Sequence, residues 1–291
     1  MLFTVDDLHT GRQLFSNKVV LGRALSRYRP AFLSVPLEQK KFGELITAFP
    51  DYRLVWFDDA EALYVDRTQQ PSLASQYALE GLDPYTLVTE EEWKKFVKNP
   101  ERAPWMRQLA RLLEIDPDCQ ITNTLVASVY NAEGSYDRSI VFATAIVRNF
   151  PEAAIGYSLL GDAWKGLRAF DRAMSYYHQA LRRAGEDDKQ AIQKQIGAIY
   201  REEGRYDKAF RVLSGSLDRF SETTPLEDLF ELATVARLAG RTTEAVDLLK
   251  YLSEFRVASD QVQWQEKLET EWALLRQRPK DTGARQAPTG Q

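Results

Sequence analysis

Along the C-terminal two thirds of the chain, apolar residues recur at three- and four-residue spacing, as in Leu125, Val129 and Tyr130, between short polar interruptions. That spacing predicts amphipathic helices rather than strands. Three stretches repeat one another: VYNAEGSYDRSIVFATAIVRNFP, AWKGLRAFDRAMSYYHQALRRAG and IYREEGRYDKAFRVLSGSLDRF. Their central aromatics, Tyr136, Phe170 and Tyr206, stand 34 and 36 residues apart, and Thr242 takes the same place another 36 on. A period of this length predicts stacked helix pairs. Within each unit the first helix (A) carries a small residue at Ala127, Gly161, Gly197 or Ala233. A larger one follows three places on, at Tyr130, Trp164 and Tyr200, with Ala236 in the last copy. The second helix (B) places small residues at Ser139, Ala173, Ala209 and Ala245 and core residues at Ala143, Tyr177, Leu213 and Leu249. Small residues belong where helices cross closely, and large ones fill the adjoining groove. Gly134, Gly204 and Gly240 fall at the turn between the helices, where a positive φ is cheap for glycine. The two 36-residue steps predict insertions in the linkers around Glu186-Asp187-Asp188 and Thr223-Thr224.

Residues 1–85 follow no such period. RPAFLSVPL reads as a strand between prolines, and LEQKKFGELITAF as a helix with Phe42, Leu45, Ile46 and Phe49 on one side. DYRLVWF and EALYVDR read as two strands joined at Asp58-Asp59. With a helix near SLASQYALEGL, the order is a small α+β module. At the other end, Ser259 and Asp260 are N-cap candidates for a helix running to about Arg276, whose Trp264, Leu268 and Trp272 need a neighbour. It predicts a capping helix for the array.

The repeated pattern resembles the tetratricopeptide repeat family over residues 86–258, with Pro151 closing the first clear unit where that family expects proline. The resemblance implies a right-handed helical-repeat solenoid, mainly α, behind the 1–85 module. Its units would be 86–119 (degenerate, with Trp93 and Phe96 in its A helix and Trp105, Leu109 and Leu112 in its B helix), 120–153, 154–189, 190–225 and 226–258. A capping helix at 259–277 and a disordered tail at 278–291 would follow. It further implies ligand-facing positions along each A helix: Thr124, Ser128 and Asn131; Ser158, Asp162 and Lys165; Lys194, Ala198 and Arg201; Phe230, Thr234 and Arg237. The partner-binding candidates are Asn131, Asp162, Lys165, Lys194, Arg201, Phe230 and Arg237, a mixed and partly basic groove for a protein or peptide segment. Thr124 and Ser128 stand where the family's carboxylate clamp has Lys and Asn, which argues against binding of chaperone tails. A second stretch, YRLVWFDDAEALYVDR within residues 11–70, is similar to the soluble C-terminal module of bacterial polyprenyl-phosphate-mannose-type membrane glycosyltransferases. That resemblance implies a module outside the cytoplasm; the family's membrane-embedded catalytic region has no counterpart here.

Composition narrows the function. The chain has 38 basic and 42 acidic residues and a net charge of −4, against a dedicated nucleic-acid binder. Its 14 Phe, 13 Tyr and 6 Trp argue against general disorder. Cys119 is the lone cysteine, and His9 and His178 lie far apart, so no metal-ligand spacing occurs and no cofactor is expected. Asp58-Asp59 is the best paired-carboxylate candidate, but adjacent residues at a hairpin tip point apart and favour a turn. Glu90-Glu91-Glu92 reads as a helix start. His178 beside Tyr177 suggests no nucleophile–base pair. The start, MLFTVDDLHT, carries two acids where a secretory leader needs basic residues, and no long apolar run occurs. The expectation is a non-enzymatic adaptor or scaffold, cytoplasmic if the chain is complete. The alternatives are an accessory soluble domain of a membrane glycan or polyprenyl-lipid glycosyltransferase pathway, on the periplasmic face, and an enzyme with a catalytic N-terminal module. A membrane-protein partner, or self-association through Trp264 and Trp272, stays open.

Overall fold

The computed structural model describes residues 13–85, 103–217, 223–257 and 261–277. The chain packs as two compact units, 1–176 and 177–291. In unit 1, α1 (Lys18–Tyr28), β1 (Phe32–Pro36), α2 (Phe42–Ile46), β2 (Tyr52–Phe57), β3 (Glu61–Asp66) and α3 (Pro71–Tyr77) form an α+β module. Four longer helices follow: α4 (Ala103–Ile115), α5 (Gln120–Ala132), α6 (Tyr136–Asn149) and α7 (Ala154–Gly166). The next helix, α8 (Phe170–Leu181), carries the unit boundary. Unit 2 continues with α9 (Glu186–Glu202), α10 (Tyr206–Ser216), α11 (Leu226–Leu238) and α12 (Thr242–Tyr251). It ends with a π-helical turn (Leu252–Arg256) and α13 (Val262–Gln277).

The module's sheet has the order β1-β3-β2, antiparallel throughout, with β2 and β3 in one hairpin and a register shift between Leu54 and Trp56. The predicted strands are present. The helix expected across LEQKKFGELITAF is shorter, five residues, because Leu37 N still donates to Ala60 O on the sheet edge and tight turns at Gln39 and Phe42 occupy the chain before it. Helix α1 has no counterpart among the elements expected from the sequence. Asn17 Oδ1 caps it by accepting from Val19 N (3.0 Å) and Val20 N (3.3 Å), and Pro30 ends it. Phe42 is the centre of the module, its ring 5.9 Å from Phe15, 5.7 Å from Tyr64 and 6.1 Å from Tyr85. This core is continuous with Leu109 and Leu112 of α4 and Leu125 and Val129 of α5, so the module shares one interior with the first long helices.

Asp66 closes β3 into the turn before α3. Its carboxylate accepts from Thr68 N (2.8 Å), Thr68 Oγ1 (2.7 Å) and Gln69 Nε2 (2.8 Å). Burial pushes its pKa up, but these hydrogen bonds outweigh burial and hold it below the usual carboxylate range. A depressed folded pKa means stability that is complete above the unfolded value of about 3.9 and is lost as pH falls through the folded pKa. The stability gap between the parent and Asp66→Asn is therefore expected to stay constant near neutrality and to shrink only in acid. Denaturant unfolding across pH checks this; a gap independent of pH would remove the assignment.

The repeat positions pack as the period predicts. Ala127, Ala233, Ser139, Ala173, Ala209, Ala245, Ala143, Tyr177, Leu213 and Leu249 are all buried, as are Gly161 and Gly197. At Gly197 a Cβ would come within 2.7 Å of the Leu213 side chain, so α9 and α10 approach as closely as glycine permits. Glu186–Asp188, expected in a linker, instead form the first turn of α9, so that insertion lengthens a helix. Trp93 and Phe96, the N-cap candidates Ser259 and Asp260, and the tail 278–291 lie outside the described residues.

Gly134, Gly204 and Gly240 hold φ of 74°, 72° and 75° at the A-to-B turn, and Arg168 takes the equivalent place at φ 58° with its guanidinium 5.4 Å from the Phe170 ring centre. A Cβ at Gly204 meets nothing within 4 Å, so Gly204→Ala tests backbone conformation alone. It is expected to cost about 1 kcal/mol. The check is a lower urea midpoint at unchanged m-value.

Candidate functional site

The partner-binding candidates lie on A helices, and each unit places its own. In unit 1, Asn131 on α5 is half-buried and donates through Nδ2 to Leu159 O of α7 (3.1 Å), tying one A helix to the next. Its Oδ1 and Thr124 Oγ1 are buried and have no hydrogen-bond partner among the described residues. Ser128 Oγ donates to Thr124 O (2.9 Å). Asp162 and Lys165 are half-buried on α7. α5 contains no charged residue, so its face is made of hydroxyl and amide groups.

Unit 2 is built on charge. Lys194 on α9 pairs with Asp228 on α11. Arg201 Nη1 lies 3.1 Å from Glu231 Oε1, the Arg side chain 42% exposed. Arg237 on α11 grips Glu271 on α13 with two nitrogens, Nη2 being 3.2 Å from Oε1. Phe230 sits edge-on to Trp264 at 5.7 Å, and Lys267 lies over the Trp264 ring at 4.3 Å. Lys194–Asp228, Arg237–Glu271 and Phe230–Trp264 each span 34 residues, one repeat. The capping helix α13 thus closes the array by standing where a further A helix would. Two expectations change. The basic groove positions of unit 2 are each already paired with a carboxylate two helices further on. Trp264 and Trp272, offered as self-association sites, are half-buried in unit 2 and pack onto its own side chains.

Sequence reasoning missed a recurring clasp. Arg138 lies over Tyr130 (5.5 Å), Arg172 over Trp164 (4.5 Å) and Lys208 over Tyr200 (5.7 Å). In each case the cation follows the A-helix aromatic by eight residues, so the Asp-Arg or Asp-Lys of the motif supplies a cation–π contact within the helix pair. The last copy has Ala236 and Glu244 at these places; there Arg241 lies over Phe210 (4.8 Å) and pairs with Asp207 (3.1 Å) and Glu244 (3.2 Å).

Asp58, Asp59 and Cys119 have structural roles. Asp58 Oδ1 accepts from Ala60 N (2.7 Å) and Glu61 N (2.8 Å), which is the turn expected. Asp59 does not simply face water. Its two oxygens accept from Gln120 N and Ile121 N, both at 2.7 Å, and so cap the N-terminus of α5 from the hairpin. Cys119 opens α5 and is 2% exposed, its thiol pushed up to about 12 by burial, with the Asp59 carboxylate adding to the effect. His178 is exposed on α8; His9 and Glu90-Glu91-Glu92 lie outside the described residues. Among the described residues no group of three or more His, Cys, Asp or Glu could hold a metal ion, and no helix is long and apolar enough to cross a membrane.

No family model matches the chain, and no curated protein matches it. Solved structures do. PilW, described as a widely conserved type IV pilus biogenesis factor, is 18% identical, with 63% of this chain and 84% of that one covered at a TM-score of 0.51. PilF of Pseudomonas aeruginosa is 11% identical, with 64% and 88% covered at 0.50. TTC0263, a thermophilic TPR protein of Thermus thermophilus, is 22% identical, with 57% and 90% covered at 0.46. At such identities the likeness is one of fold. The comparisons give no support to the glycosyltransferase resemblance of residues 11–70. The repeated small positions, the left-handed turn residues and the likeness to PilW and PilF agree on a fold of stacked helix pairs, similar to that of tetratricopeptide repeats, preceded by a small α+β module.

Proposed function

We propose that the chain is a non-catalytic protein-interaction scaffold whose A-helix faces take a segment of a partner. The observation that carries this reading is the Arg201–Glu231 pair, with Phe230, the residue before Glu231 on α11, set against Trp264. A solvent-facing pair of this kind contributes about 0–1 kcal/mol, so a partner carboxylate can replace Glu231 at Arg201 with little loss. The half-buried aromatic pair next to it supplies the apolar anchor that interfaces concentrate. Lys194, Arg237 and Phe230 frame this face in unit 2; Asn131, Asp162 and Lys165 carry the same role in unit 1.

The test is affinity capture from native extract with mass spectrometry, run with the parent, with Lys165→Glu/Lys194→Glu/Arg201→Glu, and with the swap Arg201→Glu/Glu231→Arg. The swap keeps an internal ion pair and reverses the order of charge presented to a partner. A partner enriched by the parent and lost from both variants supports the reading. A partner retained by the swap moves the site off this face.

A further inference from the structure

The N-terminal helix offers a different surface. From residue 13 to residue 37 the chain has four basic residues, Lys18, Arg23, Arg27 and Arg29, and no acid, although its net charge is −4. In α1, Val19, Arg23 and Arg27 follow one another at four-residue steps and form one ridge. All three are exposed, and Lys18 and Arg29 beside them are exposed too. Leu21 is buried on the opposite side, and Gly22 lies against the Phe49 ring, which fixes the ridge outward. Among the described residues none of these four cations pairs with a carboxylate; Arg27 lies over the Tyr28 ring at 5.3 Å. Elsewhere Arg67, Lys194, Arg201 and Arg237 all do. Two large apolar groups are exposed with it: Val19 on the ridge at 60% and Tyr28, whose ring meets Arg27, at 70%.

We propose that this face docks onto an anionic phospholipid surface, a role beyond the scaffold reading and independent of it. Unpaired cations are drawn to anionic headgroups, and each contributes separately. Apolar side chains beside them enter the headgroup–acyl boundary, and tyrosine, apolar in body and polar at its tip, suits that depth. A nucleic acid would satisfy the cations and leave Val19 in water; a lipid interface uses both kinds of group. At eleven residues α1 is about 16 Å long, which lies on a bilayer and does not span it.

Flotation of the full chain with phosphatidylcholine–phosphatidylglycerol vesicles, against phosphatidylcholine alone, tests this. The chain is expected to float with the anionic vesicles only, and less at high salt. Arg23→Glu/Arg27→Glu is expected to weaken partitioning about thirty-fold or more. Val19→Ser/Tyr28→Ser should weaken it while keeping the salt dependence. Arg182→Glu/Arg211→Glu, exposed cations of unit 2, should leave it unchanged, and circular dichroism confirms that each variant is folded. Failure to float, equal flotation with neutral vesicles, undiminished flotation of the Arg23/Arg27 variant, or binding to an oligonucleotide without binding to vesicles would each overturn the proposal.

Discussion

Replacing Arg237 with alanine is expected to destabilise unit 2 by about 3 kcal/mol. Arg237 and Glu271 retain only 13% and 10% of their side-chain exposure, and the guanidinium meets the carboxylate with two nitrogens. Removing the cation strands Glu271, itself 7% exposed, as a buried charge without its partner. Most of the loss is that stranding rather than the worth of the pair. Arg237→Met/Glu271→Leu should therefore recover all but about 1 kcal/mol, since an apolar pair of similar volume needs no charge partner. Arg201→Ala, at a solvent-facing pair of the same ladder, should cost less than about 1 kcal/mol. Urea unfolding, with hydrogen exchange read across α11 and α13, separates the three. If Arg237→Ala behaves like Arg201→Ala, the pair is screened by solvent and Glu271 is not stranded.

Removing the Asp59 carboxylate should have the next largest effect. Asp59→Ala leaves the Gln120 and Ile121 amides without their acceptor, a loss of about 2 kcal/mol for a charged cap serving two donors. A change in Cys119 should accompany it. Helix N-termini ordinarily lower a thiol pKa, but burial and the Asp59 carboxylate at this terminus hold the thiol at about 12. With Asp59 gone, one raising influence is removed and the amides are free to stabilise a thiolate. Alkylation of Cys119 should be very slow in the parent at neutral pH and faster in the variant. Equal rates would mean that burial alone governs the thiol.

The repeat was legible because close helix crossings write themselves into sequence. Gly197 is glycine because Leu213 leaves no room for a Cβ, and the equivalent place in the other units holds a small residue, Ala127, Gly161 or Ala233. The cation–π clasp was equally visible in principle, since Tyr130–Arg138, Trp164–Arg172 and Tyr200–Lys208 share one spacing. Other features were not local. The amides that Asp59 caps lie 61 and 62 residues away, so nothing near the hairpin announces that role. The charges of Lys194, Arg201 and Arg237 read as a basic groove because their acids sit in the following unit. Helix α1 escaped notice because its apolar stripe is short: Leu21 is its one fully buried side chain.

The capping of α5 from the β2–β3 hairpin also bears on the order of assembly. In unit 2 the polar links described reach no further than one repeat, a topology that closes small loops and folds quickly. Unit 1 must bring Asp59 to Gln120 across 61 residues and Tyr85 to Val35 across 50 before its core is complete. Loop closure over such distances precedes the contacts that reward it. Unit 1 is therefore the slower to form, and until its hairpin is in place the Gln120 and Ile121 amides at the start of α5 have only water to satisfy them.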